Sequence, residues 1–280
     1  MGIVIGIDVG GSTTKIVGID GKEIKNPMFV RATDPVTSLF GAFGKYLYDN
    51  DIPLSAIEKV MLTGVGSASI NQPLYGLPTA KTDEFLANGL GAQYMTQLDK
   101  LIVVSMGTGT SFVKVDGIKI EHIGGIGIGG GTVLGLSRLL LKTQDFHQVV
   151  ALALKGDITT INLQIKDICN IPLPGLPLDA TASTFGKADA NTSHEDVALG
   201  ILYMVLQCIG QSVILAALNS DIRDFVLIGN LTKLPQCKDI FPRLEDMYGG
   251  RFHIPDYAEY RTAIGAALTY INKRNYLPIG

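Results

Sequence analysis

A carboxylate, two glycines and several hydroxyl side chains follow an apolar run near the start of the chain. Residues 3–7 read as a strand buried on both faces, and Asp8 comes directly after them. The next residues include Gly10, Gly11, Ser12, Thr13, Thr14 and Lys15. A glycine turn can bring its N–H groups to an anion, and a neighbouring carboxylate can hold a Mg²⁺ ion that a polyphosphate also binds. The stretch therefore indicates Mg-nucleotide chemistry, whereas a turn cap for Asp8 and a solvated strand lysine for Lys15 are the alternatives.

The same design recurs in the middle of the chain. An apolar strand at 101–104 leads into a turn of small residues at 105–111 and then into a second strand. Asp-Gly pairs at 20–21 and 116–117 predict a hairpin turn after each copy. A serine stands where the first copy has Asp8, so only the first copy keeps the metal carboxylate. Two such hairpins predict two duplicated α/β domains that clamp one nucleotide between them.

Length and composition set limits on the class of protein. The 280 residues suit two domains, and we place the boundary so that residues 1–97 carry the first turn and residues 98–280 the second. A net charge of −3 with scattered basic residues gives no electrostatic footprint for a nucleic acid. Three widely separated cysteines, Cys169, Cys208 and Cys237, lack metal-binding spacing and indicate reduced thiols in the cytoplasm.

One apolar segment, 197–219, is long enough to span a membrane. It contains Gln207, Gln211 and Asn219 and lacks basic flanks, so we interpret it as a buried core helix and predict no membrane partner.

A glycine-rich segment lies in the second half of the chain. Six of the nine residues from Gly124 to Thr132 are glycines, and helical spacing resumes at Val133. We expect a flexible loop that feeds a helix N-terminus, where free N–H groups and the helix dipole favour an anion. A tight domain hinge is the alternative interpretation and is compatible with the first.

Glu84 is the candidate for the chemical step. It lies near the first turn of a predicted helix, with Thr82 or Asp83 as the cap. Phosphorylation of an alcohol needs a hydrogen-bond acceptor beside the attacking hydroxyl. The helix N-terminus favours an ionised Glu84, whereas burial in a closed cleft raises its pKa, and the sequence leaves open which effect is larger. An exposed first-turn glutamate is the alternative.

Two further side chains have both a chemical and an ordinary interpretation. His122 precedes the glycine-rich segment and could donate to a phosphoryl or substrate oxygen, although lone histidines are often incidental. Asn230 follows Gly229 and could contact a nucleotide or supply left-handed turn geometry.

Several stretches, in order, resemble the eukaryotic-type (type II) pantothenate kinases of the actin, sugar-kinase and Hsp70-type ATPase superfamily. They are residues 8–15, Glu84-Phe85 with Gly91, 107–111, Gly124-Gly125 with 129–131, 156–157 with 166–168, 175–177 with 182–186, Gly229-Asn230 and 263–266. The Ala-Ser-Thr-Phe-Gly segment at 182–186 and the glycine-rich segment are the most specific of these.

The resemblance implies a fold, an activity and a set of site residues. The fold is α/β, with two duplicated actin-like (ribonuclease H-like) ATPase domains and a nucleotide cleft between them. The activity is transfer of the ATP γ-phosphate to the 4′-hydroxyl of pantothenate, with Glu84 as general base and Asp8 organising Mg²⁺. The implied nucleotide contacts are Gly10, Gly11, Ser12, Thr13, Thr14, Lys15, Thr108, Gly109, Gly130, Gly131, Thr132, Val133, Leu134, Phe146 and Asn230. It also implies a homodimer, with the apolar helix from Val197 as its interface, and coenzyme A or an acyl-CoA as a possible inhibitor.

One departure from the family pattern concerns the substrate. Related sequences carry an arginine just before the glycine-rich segment, and this chain has His122 there. Histidine is shorter, partly charged at neutral pH and unable to form a bidentate fork. A kinase of another small alcohol or sugar, and a nucleotide- or acyl-CoA-binding sensor without turnover, therefore remain as alternatives. An activator of an acyl-CoA dehydratase is a weaker one, because its iron–sulfur cluster needs clustered cysteines.

Overall fold

The computed structural model describes residues 2–11, 13–31, 34–169, 171, 174–273 and 277–278. The first of its two large sheets contains β1 (Ile3–Val9), β2 (Thr13–Asp20), β3 (Glu23–Arg31), β4 (Ile57–Thr63), β5 (Thr79–Lys81) and β13 (Leu277–Pro278). The strand order is β13-β5-β4-β1-β2-β3.

The second sheet contains β6 (Lys100–Met106), β7 (Thr110–Asp116), β8 (Lys119–Ile126), β11 (Asp224–Ile228) and β12 (Arg251–His253). Its order is β12-β11-β6-β7-β8. A separate pair joins β9 (Leu163–Gln164) to β10 (Thr181–Ser183).

The two large sheets repeat one topology. In each, the first three strands pair as antiparallel neighbours, and two later strands add in parallel beside the first of the three. The predicted Asp-Gly turns connect β2 to β3 and β7 to β8. The expectation of two duplicated α/β domains is therefore confirmed.

Helices connect and cover these strands. They are α1 (Pro35–Asp49), α2 (Glu84–Thr96), α3 (Gly130–Leu140), α4 (Phe146–Ala153), α5 (Ile158–Ile161), α6 (His194–Ala217), α7 (Cys237–Tyr248) and α8 (Arg261–Ile271). The sequence pattern predicts α1, α2, α3, α6 and α8 but not α4, α5 or α7. Pro242 lies inside α7, and proline in a helix interior is read as a break.

Among the described residues, helix α6 is the one helix long and apolar enough to span a membrane. It buries 61% of its most apolar window inside the fold. Its buried side chains pack with those of β6, β11 and α7 in the core of the second domain. The structure thus agrees with the interpretation of this segment as a core helix.

Helix α2 follows the last strand of the first repeat, and α8 follows the last strand of the second. Each helix packs on the sheet of the other repeat. Val4 and Met61 of the first sheet form one cluster with Ile264 of α8. Ala92 of α2 instead packs with Val103 and its neighbours in the second sheet. The two helices therefore lie against each other between the sheets.

This exchange corrects one part of the expected domain division. We expected residues 98–280 to form the second domain as a whole, but α8 packs on the first sheet. Nothing in the local sequence of a helix specifies which sheet it covers, and here glycines decide the contact. A Cβ on Gly265 would lie 1.7 Å from the Ala87 carbonyl oxygen, and one on Gly91 would lie 2.1 Å from that of Arg261. By their sheet contacts, α8 and β13 lie with the first domain and α2 lies with the second, and the boundary near residue 97 stays a proposal.

Candidate active site

The carboxyl end of β1 holds an ion pair between neighbouring strands. Asp8 faces Lys15 of β2 in the strand register, and Lys15 Nζ lies 3.7 Å from Asp8 Oδ2. Both side chains are mostly buried. Burial raises the pKa of the Asp8 carboxyl above its usual value, while the Lys15 ammonium opposes that shift. The pair places one carboxylate and one ammonium where the first glycine turn begins.

The first turn itself is tight. The Gly10 N–H donates to the Thr13 carbonyl oxygen at 2.9 Å, and Gly11 is exposed. Ser12, predicted as a nucleotide contact, lies outside the described residues. Thr14 pairs with Val9 in the strand register and is fully buried. Since Val9 belongs to the core beneath α1, the Thr14 side chain points away from the face that carries Asp8.

Glu84 is the first residue of α2, and the Asp83 side chain caps the helix by accepting the Leu86 N–H at 2.8 Å. The pKa of Glu84 is raised from 4.5 to about 7. Burial is the largest cause, followed by repulsion from Asp8 and then from Asp83, and Lys15 opposes the shift. The pKa of Glu84 is therefore shifted in the direction that burial favours. Glu84 is a half-buried carboxyl in the electrostatic range of Asp8, and the exposed alternative is wrong.

His122 reaches the same region from the second sheet. Its imidazole stacks on the ring of Phe85, with centroids 3.9 Å apart and an angle of 10° between the planes. His122 is exposed on β8, and Phe85 directly follows Glu84. The stack thus places His122, from the second repeat, beside the start of α2, the helix of the first repeat that carries Glu84. Phe85 was not predicted to hold His122, because stacking partners on a helix and a strand that are far apart in the chain leave no spacing signal.

The glycine-rich segment differs from the flexible loop that we expected. Gly124 and Gly125 belong to β8, and Gly130 and Gly131 form the first turn of α3, which leaves residues 127–129 between them. Strand pairing with β7 and helix hydrogen bonds fix most of the segment.

The N-terminus of α3 is also less free than predicted. The Gly130 N–H donates to the Gly107 carbonyl oxygen at 2.8 Å, and the Gly131 N–H donates to that of Thr108 at 2.9 Å. The second turn is closed by a 2.9 Å bond from the Gly107 N–H to the Gly109 carbonyl oxygen. In this conformation two first-turn amides bind the turn of residues 107–109 rather than remaining available to an anion.

Asn230 lies next to the same turn. It follows β11 through Gly229, whose φ is +97°. A Cβ at Gly229 would lie 2.4 Å from the Met106 carbonyl oxygen, so only glycine allows this close approach. The structure thus brings together Thr108, Gly109, Gly130, Gly131 and Asn230 at one end of the second sheet.

The remaining predicted contacts vary in accessibility. Thr132 accepts the Gly129 N–H at 3.1 Å and donates to the Gly127 carbonyl oxygen at 3.2 Å. Val133 is fully buried in the core of the second domain, so its side chain is not available to a ligand. Leu134 and Phe146 are half-buried, and Phe146 packs against the same core.

A magnesium ion fits the first domain in one restricted way. Among the described residues, no group of three or more His, Cys, Asp or Glu side chains is arranged to hold a metal by itself. Mg²⁺ commonly keeps several waters and binds through one or two carboxylates together with substrate phosphates. The single carboxylate of Asp8, mostly buried beside the first glycine turn, suits that mode.

The topology defines an α/β protein built from two actin-like domains. A similar solved structure is the activator of the 2-hydroxyisocaproyl-CoA dehydratase from Clostridium difficile with bound ADPNP. It has a TM-score of 0.70 and 15% identity, and the match covers 97% of this chain and 95% of that chain. A ROK family glucokinase from Streptomyces griseus, in complex with glucose and AMPPNP, has a TM-score of 0.58 at 14% identity, covering 95% and 98% of the two chains. The predicted fold class is confirmed.

Sequence comparison gives the family. The model of the Fumble family matches residues 93–238. The type II pantothenate kinase of Staphylococcus epidermidis is 30% identical over 214 residues, which cover 75% of this chain and 76% of the relative. The type II pantothenate kinase of Staphylococcus aureus is 30% identical over 236 residues, covering 81% and 84%. The chain belongs to the type II pantothenate kinase (Fumble) family, which confirms the resemblance and the expectation of a kinase.

Proposed function

We propose that the protein transfers the γ-phosphate of Mg-ATP to the 4′-hydroxyl of pantothenate. The observation that carries the proposal is Glu84, a half-buried carboxyl whose pKa is raised to about 7 at the start of α2. A base with a pKa near the working pH combines a large ionised fraction with useful basicity. Membership of the type II pantothenate kinase family supports pantothenate as the acceptor.

Each group has a role in one displacement. Ionised Glu84 accepts the proton of the attacking hydroxyl. At the same time the hydroxyl oxygen bonds to the γ-phosphorus, and the bond between the γ-phosphorus and the β-phosphate oxygen breaks. The products are ADP and 4′-phosphopantothenate, and Glu84 keeps the proton until solvent removes it. Lys15 neutralises phosphate charge, and His122, held by its stack on Phe85, donates to a phosphoryl or substrate oxygen. A Mg²⁺ ion held by Asp8 would neutralise charge on the polyphosphate.

The nucleotide is proposed to bind between the two glycine turns. The first turn, Gly10 to Lys15, and the second, with Thr108, Gly109 and the start of α3, come from the two repeats. Actin-like proteins of known structure carry the ATP analogues ADPNP and AMPPNP. Because Gly130 and Gly131 bind carbonyl oxygens of the second turn, we expect the amides of Thr108 and Gly109 to make the phosphate contacts there.

A kinase of another small alcohol or sugar is the second candidate, and His122 is the observation that favours it. A histidine at the position of the family arginine is shorter and cannot form a bidentate fork, which weakens recognition of an anionic group. The test is ADP release with Mg-ATP and pantothenate, with sugars and glycerate run in parallel. ADP formation that depends on pantothenate supports the first proposal, and formation that depends only on another acceptor supports the second.

The assembly, regulation and location are proposals of the same kind. We propose a cytoplasmic homodimer that coenzyme A or an acyl-CoA inhibits by competing at the cleft. Most apolar residues of α6 are buried in the core of the second domain. The proposed interface is therefore limited to the exposed side of α6, which includes Leu215. Light scattering gives the mass, and a monomer at micromolar concentration would exclude the dimer.

A further inference from the structure

A buried arginine lies where the two exchanged helices cross. Arg261 is the first residue of α8, and its side chain is the largest among the fully buried ones in the described residues. Its carbonyl oxygen touches α2 at Gly91, where a Cβ would lie only 2.1 Å away. The adjacent Thr262 hydroxyl donates to Asn88 Oδ1 of α2 at 2.7 Å. The start of α8 is thus fixed against the helix that carries Glu84.

The guanidinium of Arg261 is poorly paired for a buried cation. Its Nη2 donates to the Asp256 carbonyl oxygen, whereas Nε and Nη1 have no hydrogen-bond partner in the described part of the chain. None of the ion pairs between described residues includes it. Burial lowers the pKa of Arg261 to about 10, which leaves the group charged at neutral pH.

Such a group opposes folding rather than supporting it. A buried charge loses its hydration, and a backbone carbonyl returns only part of that loss. Replacing buried charged side chains by apolar ones of similar volume is often neutral or stabilising. Packing between the helices therefore gives no reason for an arginine at this position.

The contacts at Arg261 lead from α2 to the turn at Asn230. Arg261 holds the Asp256 carbonyl, at the beginning of a short turn of residues 256–260. Within that turn the Ala258 carbonyl oxygen accepts the Gly229 N–H at 3.0 Å, directly before Asn230. Glu259 also binds Lys233 with a 2.7 Å ion pair, three residues after Asn230. The start of α8 lies against the helix of Glu84 through the Arg261 backbone and Thr262, and the Arg261 side chain connects that start to the turn beside the second glycine turn.

We propose that Arg261 is a positioning residue, which fixes the turn at Gly229–Asn230 relative to α2 and so sets the nucleotide relative to Glu84. The inference rests on the proposed nucleotide site but not on the identity of the acceptor. The inference deepens the proposed function. It assigns the alignment of the two domains, which hold the nucleotide and Glu84, to a side chain outside the cleft.

The test compares Arg261→Met with Arg251→Met, an exposed arginine of β12 that serves as the matched control. For each purified protein we would measure the Tm, the Kd for Mg-ADPNP, and the KM for both substrates. We expect Arg261→Met to keep or raise the Tm, to raise the Kd for Mg-ADPNP about tenfold, a loss of 1.4 kcal/mol, and to leave the KM for pantothenate nearly unchanged. Arg261→Lys, which can still donate to the Asp256 carbonyl, should recover most of the affinity.

The outcomes separate the two proposals. A lower Tm for Arg261→Met with an unchanged Kd would show a purely structural residue and overturn the inference, as would no change in either. If Arg261→Met does not fold, Arg261→Lys and Arg261→Gln supply the Kd values, and equality with the parent protein overturns it. If the parent protein binds Mg-ADPNP but phosphorylates no pantothenate, the proposed function fails while the affinity of the variants still tests Arg261.

Discussion

The proposed role of Glu84 as general base predicts how phosphoryl transfer depends on pH, and the pKa of Glu84 gives the sign of that dependence. Its pKa is raised from 4.5 to about 7, so the carboxyl is largely protonated at pH 6 and largely ionised at pH 8. A general base acts only in the ionised form. The value of kcat/KM should therefore rise with pH along an acid limb centred near the pKa of Glu84, by about tenfold between pH 6 and pH 8.

Two variants assign that limb to Glu84. Glu84→Gln keeps the size of the side chain and removes the base, so turnover should fall by about 10²–10⁴-fold while Mg-ATP still binds. Asp83→Asn keeps an N-cap residue of equal quality but removes one of the charges that raise the pKa of Glu84. Because Asp83 is exposed, solvent and salt screen its charge. The acid limb of the Asp83→Asn variant should therefore move to lower pH by only a few tenths of a unit.

The assay is initial ADP release at saturating Mg-ATP and limiting acceptor, from pH 5.5 to 9 in buffers of constant ionic strength. A profile that is flat between pH 6 and pH 8 would refute the argument, since a base with a raised pKa cannot give it. An acid limb that survives unchanged in the residual activity of Glu84→Gln would assign the titration to another group. A limb that moves to higher pH in Asp83→Asn would contradict the electrostatic origin of the shift.

Three further predictions concern other parts of the molecule. Gly265→Ala should destabilise the fold by about 3 kcal/mol, because its Cβ would lie 1.7 Å from the Ala87 carbonyl oxygen. In the same urea titrations Gly135→Ala, which meets no heavy atom within 4 Å, should be neutral or stabilising by up to about 1 kcal/mol, and equal losses would disprove the close contact. His122→Ala should lower kcat/KM by about 10–100-fold with unchanged ATP affinity, and His122→Arg should restore it; full activity of the alanine variant would make His122 incidental. Mg-ATP should raise the Tm of the parent protein more than ATP with EDTA does, and Asp8→Asn should abolish that difference; an undiminished difference would remove Asp8 as the metal residue.

The features that the sequence predicts well are local ones. A buried strand, a small-residue turn and an Asp-Gly hairpin occupy neighbouring positions in the chain, and each has its own residue signal. Because the set occurs twice, the two antiparallel halves of the sheets follow directly. The same locality explains why Asp83 and Glu84 are correctly placed at the start of α2, since a cap and its helix lie within one turn.

The features that the sequence does not predict arise from contacts between distant segments. The exchange of α2 and α8 depends on Gly91 and Gly265, but an isolated glycine in a helix pattern indicates only a weak helix. The amides at the N-terminus of α3 are not all available to an anion, because two of them donate to carbonyl oxygens of the turn at residues 107–109. The stack of Phe85 on His122 joins helix α2 to strand β8, and no periodicity connects the two residues.

The pKa of Glu84 shows how these two kinds of information combine. The sequence places the carboxyl at a helix N-terminus, which favours its charged form, and it cannot supply the burial that favours the neutral one. That burial comes from the packing of α2 between the two sheets, and the packing depends on the helix crossing at Gly91 and Gly265. A substitution at Gly91 should therefore alter the pKa of Glu84, although Gly91 lies more than one helical turn from Glu84. We therefore expect the basicity of Glu84, the proposed base, to depend on how the two domains fit together.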